Sequence, residues 1–229
     1  MLRVDTSSPE FNAQEALLWA AEHYATRAVL TTGFGIEGCV LVSMIARDQL
    51  PIAIVTLDTG LLFPETYALW EHLQERYRIE IQGIRPDQSV PEQAHVHGDR
   101  LWERAPDLCC SLRKVQPLEK TLARYDAWIT AIRRDQTPER TLARVIDTDP
   151  RFGIVKVNPL ASWSLADVSE YARLHDVPYS SLHDQGFPSV GCVPCTTPVA
   201  AGEATRAGRW RGLARTECGL HAPRAVHPR

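Results

Sequence analysis

Five cysteines carry the chemistry most readily in this chain. Cys109 and Cys110 stand side by side in "PDLCCSLRKVQPL", Cys192 and Cys195 form "GCVPC", and Cys218 lies near the end in "ECGLH". Two thiol pairs far apart in sequence can meet at one metal centre. A C-x-x-C pair alone serves zinc, iron–sulfur and dithiol redox sites alike. The adjacent pair narrows the choice, because neighbouring side chains diverge. Divergent thiolates chelate one tetrahedral zinc poorly but reach different irons of a cubane, which favours a [4Fe-4S] cluster held by Cys109, Cys110, Cys192 and Cys195. A thioredoxin-type dithiol is disfavoured, since such motifs open a helix directly after a strand and this one sits among glycines and prolines. Cys218, on a polar terminal segment near Arg215 and His221, suits a mobile nucleophile whose thiolate is favoured by cationic neighbours. Cys39 lies in an apolar helical run and reads as structural.

The second chemical feature is a set of loops suited to anions. "TTGFGIEG" falls between a strand and a helix, where Thr31, Thr32, Gly33 and Gly35 offer hydroxyls and backbone N–H groups at a helix N-terminus. It matches neither the dinucleotide fingerprint nor the P-loop lysine motif. "LDTG" places Asp58 and Thr59 at a strand end, to orient a ribose or base or to cap the following helix. "RRDQT" puts Arg133 and Arg134 directly after another strand, and "RAGRWR" adds Arg206, Arg209 and Arg211. Arginine forks match phosphate and sulfate oxygens. His95, His97, His175 and His183 have no ligand spacing and are unassigned.

The elements that must position these groups follow from periodicity. "PEFNAQEALLWAAEHYA" repeats apolar residues at helical spacing. "RAVLTTGFGIEGCVLVSMIAR" and "LPIAIVTLDTGLLFPETYALWEHLQERY" each read strand, turn, helix. "RIEIQGIRP", "DAWITAIRRDQ" and "RFGIVKVNPL" supply further strands, with one helix expected over "CSLRKVQPLEKTLARY". Another is expected in "SWSLADVSEYARLHDV", capped by Ser162 or Ser164. Alternating strands and helices predict an α/β fold, a doubly wound, mostly parallel, Rossmann-like sheet whose loops bind ligands at the strands' carboxyl ends. Regular patterning fades after Pro178. The expected organisation is one nucleotide-binding and cluster-bearing domain over residues 1–197, with a flexible carboxyl-terminal segment over 198–229 carrying Cys218.

Composition bounds the rest. The chain has 229 residues, 44% hydrophobic and 23% charged, with a formal net charge of -3. It is ordinary globular usage, which disfavours disorder, a membrane class and general nucleic-acid binding. No signal-like start or apolar run of about 18 residues is visible, so a reducing cytoplasm is expected, where cysteines serve metals or redox rather than a disulfide framework.

Taken in order, "TTGFGIEG", "LDTG", "CCSLRKVQPL", "IRRDQT", "KVNPLASWSLADV", "PYSSLHDQGFPSVGCVPCTTP" and "ECGLH" resemble the assimilatory adenylyl-sulfate reductases, from about residue 27 to 221. The resemblance implies an adenine-nucleotide α-hydrolase-like fold that reduces adenosine 5′-phosphosulfate (APS) to sulfite and AMP. Thioredoxin would supply the electrons, in sulfate assimilation toward cysteine. It implies cluster ligation by the four paired cysteines and a thiosulfonate (S-sulfocysteine) intermediate on Cys218, with His221 nearby and Lys114 between cluster and substrate. Arg133 or Arg134, with Arg206 and Arg209, would bind the phosphosulfate. Thr31, Thr32, Gly33, Gly35 and Glu37 would line the nucleotide loop, and Asp58, Thr59 and Gly60 a second wall. Gly33 departs from related loops, which often carry a hydroxyl residue there. Homo-oligomer formation is left open. The rival readings are reduction of the 3′-phosphorylated nucleotide (PAPS), an ATP-cleaving PP-loop enzyme with zinc, and a non-enzymatic iron–sulfur sensor.

Overall fold

Asn12 accepts from the Glu15 N–H at 3.0 Å while the Glu15 carboxylate accepts from Asn12 N–H at 2.8 Å. This capping box starts helix α1 (Ala13–Tyr24). The computed structural model describes residues 11–213, 215 and 217–220. Strand β1 (Ala28–Thr32), helix α2 (Ile36–Arg47), strand β2 (Ala53–Leu57), helix α3 (Pro64–Tyr77) and strand β3 (Gln82–Ile84) follow. Three short helices come next: α4 (Val90–His97), α5 (Leu101–Arg104) and α6 (Pro106–Cys110). A π-helical turn over Ser111–Val115 joins α6 to α7 (Gln116–Leu122). Strands β4 (Ala127–Ile129), β5 (Ile146–Thr148) and β6 (Val155–Val157) precede α8 (Leu165–Leu174). Of the two candidate caps for α8 it is Ser164 that acts, paired with Asp167.

The six strands form one sheet in the order β3-β2-β1-β4-β6-β5. All neighbouring pairs are parallel except β5 with β6. The chain winds outward from β1 through β2 to β3, then crosses to β4 on the other side. Such a reversal opens a crevice at the strands' carboxyl ends. The doubly wound, mostly parallel sheet expected from the sequence is therefore present.

Alternate strand residues face opposite layers. Ala28, Leu30, Ile54 and Ile129 pack with apolar residues of α1, α2, α3 and α8 in the larger core. Val29, Val55 and Trp128 pack on the other face with Leu118 and Leu122 of α7. Two features depart from expectation. The antiparallel β5 and the helices α4 and α5 carry too little periodicity to stand out. The helix expected over residues 110–125 starts earlier and contains the π-turn, where the Gln116 N–H bonds back to Ser111 C=O. Among the described residues, no helix is long and apolar enough to cross a membrane.

Close contact between β1 and α2 depends on a glycine. A Cβ on Gly38 would lie 2.4 Å from Thr32 Oγ1, and that oxygen is engaged with the Phe34 N–H at 3.0 Å. Gly38→Ala is expected to destabilise the fold by about 1–3 kcal/mol through overpacking, measured as a lowered urea midpoint at unchanged m-value.

Candidate functional site

The crevice at the strand ends holds a pocket lined by Thr31, Thr32 and Gly33, by Thr59, by Lys114, Arg206 and Arg209, and by Cys218. The turn after β1 is rigidly built. Phe34 adopts a left-handed conformation with φ 59, unusual for a bulky residue, and is held there by burial and by stacking on Trp70 at 5.9 Å between ring centroids. Trp128 from β4 forms part of the pocket wall and donates from Nε1 to Thr31 Oγ1 at 2.8 Å. A Cβ at Gly33 would meet nothing within 4 Å. The glycine that departs from related loops thus borders open space.

The other anion-loop residues divide into groups. Glu37 accepts from Arg133 Nε at 3.1 Å and from Gln136 at 3.0 Å. With Gly33, Gly35, His183, Arg206 and Arg209 these three line a neighbouring cavity. Arg134 turns away and donates to Ala143 C=O at 2.8 Å. Asp58 is buried behind the pocket wall, accepting from Tyr67 Oη at 2.6 Å, Gly60 N–H at 3.1 Å and Arg85 Nε at 2.9 Å. Burial pushes its carboxyl pKa up, but the hydrogen bonds from Tyr67 and Gly60 and the Arg85 charge more than offset this and leave it below the ordinary value. Gly60 takes φ 68 in the turn that Asp58 braces.

The four paired cysteines meet. All six cysteines are free thiols, and Cys109, Cys110, Cys192 and Cys195 line one small cavity with Leu61, Trp102, Pro106, Arg113 and Lys114. The end of α6 supplies the adjacent pair. The turn Val193–Cys195 and its cap Cys192 supply the other, fixed by Val193 N–H to Leu61 C=O at 2.8 Å and by Trp210 N–H to Cys195 C=O at 3.1 Å. Burial, reinforced by Cys110, Cys192 and Cys195, pushes the Cys109 thiol up to about 11. Burial acts in the same direction on Cys192, yet Lys114, Thr59 Oγ1 at 3.3 Å and Arg209 outweigh it and lower that thiol. Among the described residues, no three Cys, His, Asp or Glu side chains are grouped to hold a single metal ion. Four thiols around one apolar-walled cavity instead fit a polynuclear centre, in which each metal takes one thiolate and the sulfurs need not converge on a point.

Lys114 is common to the linings of the thiol cavity and the larger pocket. The π-turn carries it, and both it and the preceding Arg113 are buried. Burial alone would lower its pKa, but Cys192, Cys218 and Cys110 more than offset that and raise it. Arg113 serves differently, donating to Gln93 Oε1 at 3.0 Å and to the Thr59 carbonyl. Arg209 is buried too, 4.5 Å from the Trp210 ring centroid, with its guanidinium against Gly191, where a Cβ would stand 2.3 Å from one of its nitrogens.

Residues 217–220 lie against the pocket. Glu217 pairs with Arg140 at 2.8 Å and with Arg206 at 3.4 Å, and Cys218 faces the pocket. His221 lies outside the described residues. The sequence reading missed Arg140, Arg151, Glu217 and Trp128. Arg140 ends a single 3-10 turn and Arg151 lies in the β5–β6 turn, neither with a motif around it, so only the fold reveals them.

A mostly parallel α/β scaffold with a cationic pocket, four clustered thiols and a separate thiol at the pocket defines the class. The phosphoadenosine phosphosulfate reductase domain matches residues 27–198, and the chain belongs to that family. It is 46% identical over 208 residues to the adenosine 5′-phosphosulfate reductase of Halalkalibacterium halodurans, covering 90% of each chain. It is also 46% identical over 214 residues to adenosine 5′-phosphosulfate reductase 1 of Bacillus subtilis, covering 93% of this chain and 92% of the other. A phosphoadenylyl-sulfate reductase structure from Candida auris superposes with a TM-score of 0.73 at 33% identity, covering 83% of this chain and 91% of the other. An FMN adenylyltransferase from Candida glabrata, at 15% identity and a TM-score of 0.55, shares the fold alone.

The depressed Asp58 pKa sets a sign for acid stability. A carboxyl lowered in the folded state contributes stability above its unfolded pKa of about 3.9 that is lost as pH falls through the folded value. Asp58→Asn is expected to cost about 1–3 kcal/mol at neutral pH and to shrink the gap in urea stability between about pH 7 and about pH 3.

Proposed function

We propose that this chain reduces adenosine 5′-phosphosulfate to sulfite and AMP, with thioredoxin as electron donor. The observation that carries the reading is that Cys218 shares one pocket with Lys114, Arg206 and Arg209 beneath the Thr31–Thr32–Gly33 turn. The bacterial relatives named for this reaction support the choice of nucleotide. The pocket has the parts the chemistry requires. Backbone N–H groups and hydroxyls at the α2 N-terminus receive an anion, while the ammonium of Lys114 and the guanidiniums of Arg206 and Arg209 neutralise the phosphosulfate.

The Cys218 thiolate attacks the sulfur of APS, forming an S–S bond as the S–O bond to the phosphate breaks. AMP leaves with the electron pair of that bond, stabilised by the same cations. The product on the enzyme is a thiosulfonate. A thioredoxin thiolate then attacks the Cys218 sulfur, sulfite departs, and the second thioredoxin cysteine resolves the mixed disulfide. Thioredoxin is thereby oxidised by two electrons and Cys218 regenerated. Cys109, Cys110, Cys192 and Cys195 would hold a [4Fe-4S] cluster. When bound, it would supply a fixed charge beside Lys114 that organises the pocket.

Reduction of the 3′-phosphorylated nucleotide is the second reading, favoured by the likeness to the Candida auris protein. Steady-state kinetics with both nucleotides separate the two, and a strong preference for PAPS would overturn the choice of APS. Cys218→Ser is expected to lower sulfite formation by about a thousandfold or more, and full activity in that variant would refute the sulfur chemistry. Protein purified without oxygen is expected to be brown, with about four irons per chain; one zinc and no colour would overturn the cluster. Lys114→Ala is expected to reduce kcat/KM by about a hundredfold or more while iron content is retained.

A further inference from the structure

A tail that delivers a nucleophile and then surrenders it to a second protein needs a docking site that holds it firmly but reversibly. The turn between β5 and β6 supplies one. Asp149 builds this turn: its side chain accepts from the N–H groups of Arg151 at 3.1 Å and Phe152 at 3.3 Å, and its carbonyl accepts from Gly153 N–H at 2.8 Å. Asp149 also pairs with Lys156 at 3.1 Å. Phe152 meets Trp128 edge-on at 5.6 Å, which ties the turn to the pocket wall. On this support the Arg151 guanidinium lies 4.2 Å above the Phe152 ring. It donates to the carbonyls of Gly219 at 2.7 Å and Leu220 at 2.6 Å. These are the two residues that follow Cys218. Leu220 packs with Phe152, Ile154 and Leu118 in the smaller apolar cluster.

We propose that Arg151 is a positioning residue that clamps the tail shut by its backbone just beyond Cys218, holding that thiol in the pocket for sulfur transfer and releasing it for reduction. The proposal rests on the reading of Cys218 as nucleophile. Its grip is on backbone carbonyl groups. A fork of two charged N–H donors meeting two successive carbonyls gives direction as well as strength. The Gly219 φ of 83 turns the chain so that both carbonyls face the clamp. Leu220 adds a small apolar anchor. Arg151 touches no reacting atom, and its effect is on the population of the closed state.

The half-reactions read this directly. Arg151→Ala, Arg151→Lys and Leu220→Ala would be compared with the wild-type holoenzyme in three measurements. The first is the single-turnover rate of thiosulfonate formation on Cys218 with APS and no reductant, followed by mass spectrometry. The second is the rate at which excess thioredoxin reduces the preformed thiosulfonate. The third is the rate of Cys218 alkylation by iodoacetamide, read on its own peptide. Arg151→Ala is expected to slow formation about tenfold or more, the scale for losing a hydrogen bond to a charged group. Reduction should be unchanged or faster and alkylation faster, with Arg151→Lys intermediate. Leu220→Ala should shift all three in the same directions, and it tests the seating of the tail from the tail side with Arg151 intact. Formation and alkylation rates equal to wild type would overturn the clamp, as would a parallel fall in both half-reactions with a lowered Tm. If wild-type enzyme forms no adduct, the proposed sulfur chemistry fails, and the alkylation rates alone then decide whether Arg151 holds the tail.

Discussion

The buried ammonium of Lys114 is the constraint around which the rest is arranged. A lysine removed from water is costly unless anionic or strongly polar groups surround it. Here they are cysteines: Cys192 first, then Cys218 and Cys110, raise its pKa as thiolates against the effect of burial. The charge is therefore kept where two cavities meet. Neither cavity would have its present character without it. The thiol side gains a cation that lowers Cys192, and the pocket side gains a positive wall.

That ammonium sits on an irregular stretch of helix. In a regular α-helix successive side chains diverge by about 100°, so Arg113 and Lys114 reach different surroundings. Arg113 binds Gln93 and the carbonyl of Thr59 beneath the β2 loop, whereas Lys114 reaches the shared wall. The π-turn accommodates both while Cys109 and Cys110 stay directed into the thiol cavity. π-turns recur at functional sites for this reason: one inserted residue redirects a helix face. The β2 loop answers from the opposite side, with Thr59 Oγ1 on Cys192 and Asp58 bracing Gly60.

How much of this was legible in the sequence follows from which interactions are local. Strands β1, β2 and β4 and helices α1, α2, α3 and α8 carry apolar periodicity or capping residues, and these determine the sheet's winding. The pairing of the adjacent cysteines with the distant C-x-x-C was legible as chemistry, because four thiols in a short list of cysteines ask for a common use. The antiparallel β5 was not. It has three residues, and its pairing with β6 is stabilised by tertiary contacts that a local pattern cannot encode. Arg134 reads the same as Arg133 in sequence, yet one bonds a carbonyl of its own loop and the other a carboxylate on α2. Only the backbone path distinguishes adjacent arginines.

The pocket's charge shows the same limit more sharply. The chain as a whole carries a formal charge of -3, and nothing in that figure announces a cationic site. The fold creates one by drawing Lys114, Arg140, Arg206 and Arg209 from separate segments into a single lining, with Glu217 the carboxylate among them. Low-dielectric walls strengthen the field inside such a cleft, so a few gathered cations outweigh a dispersed surplus of acidic residues at the surface. Glu217 then does more than balance charge. By pairing with Arg140 and Arg206, it ties the segment bearing Cys218 to the same guanidiniums that face the pocket. Tail position and pocket electrostatics are consequently one problem, settled by the same side chains.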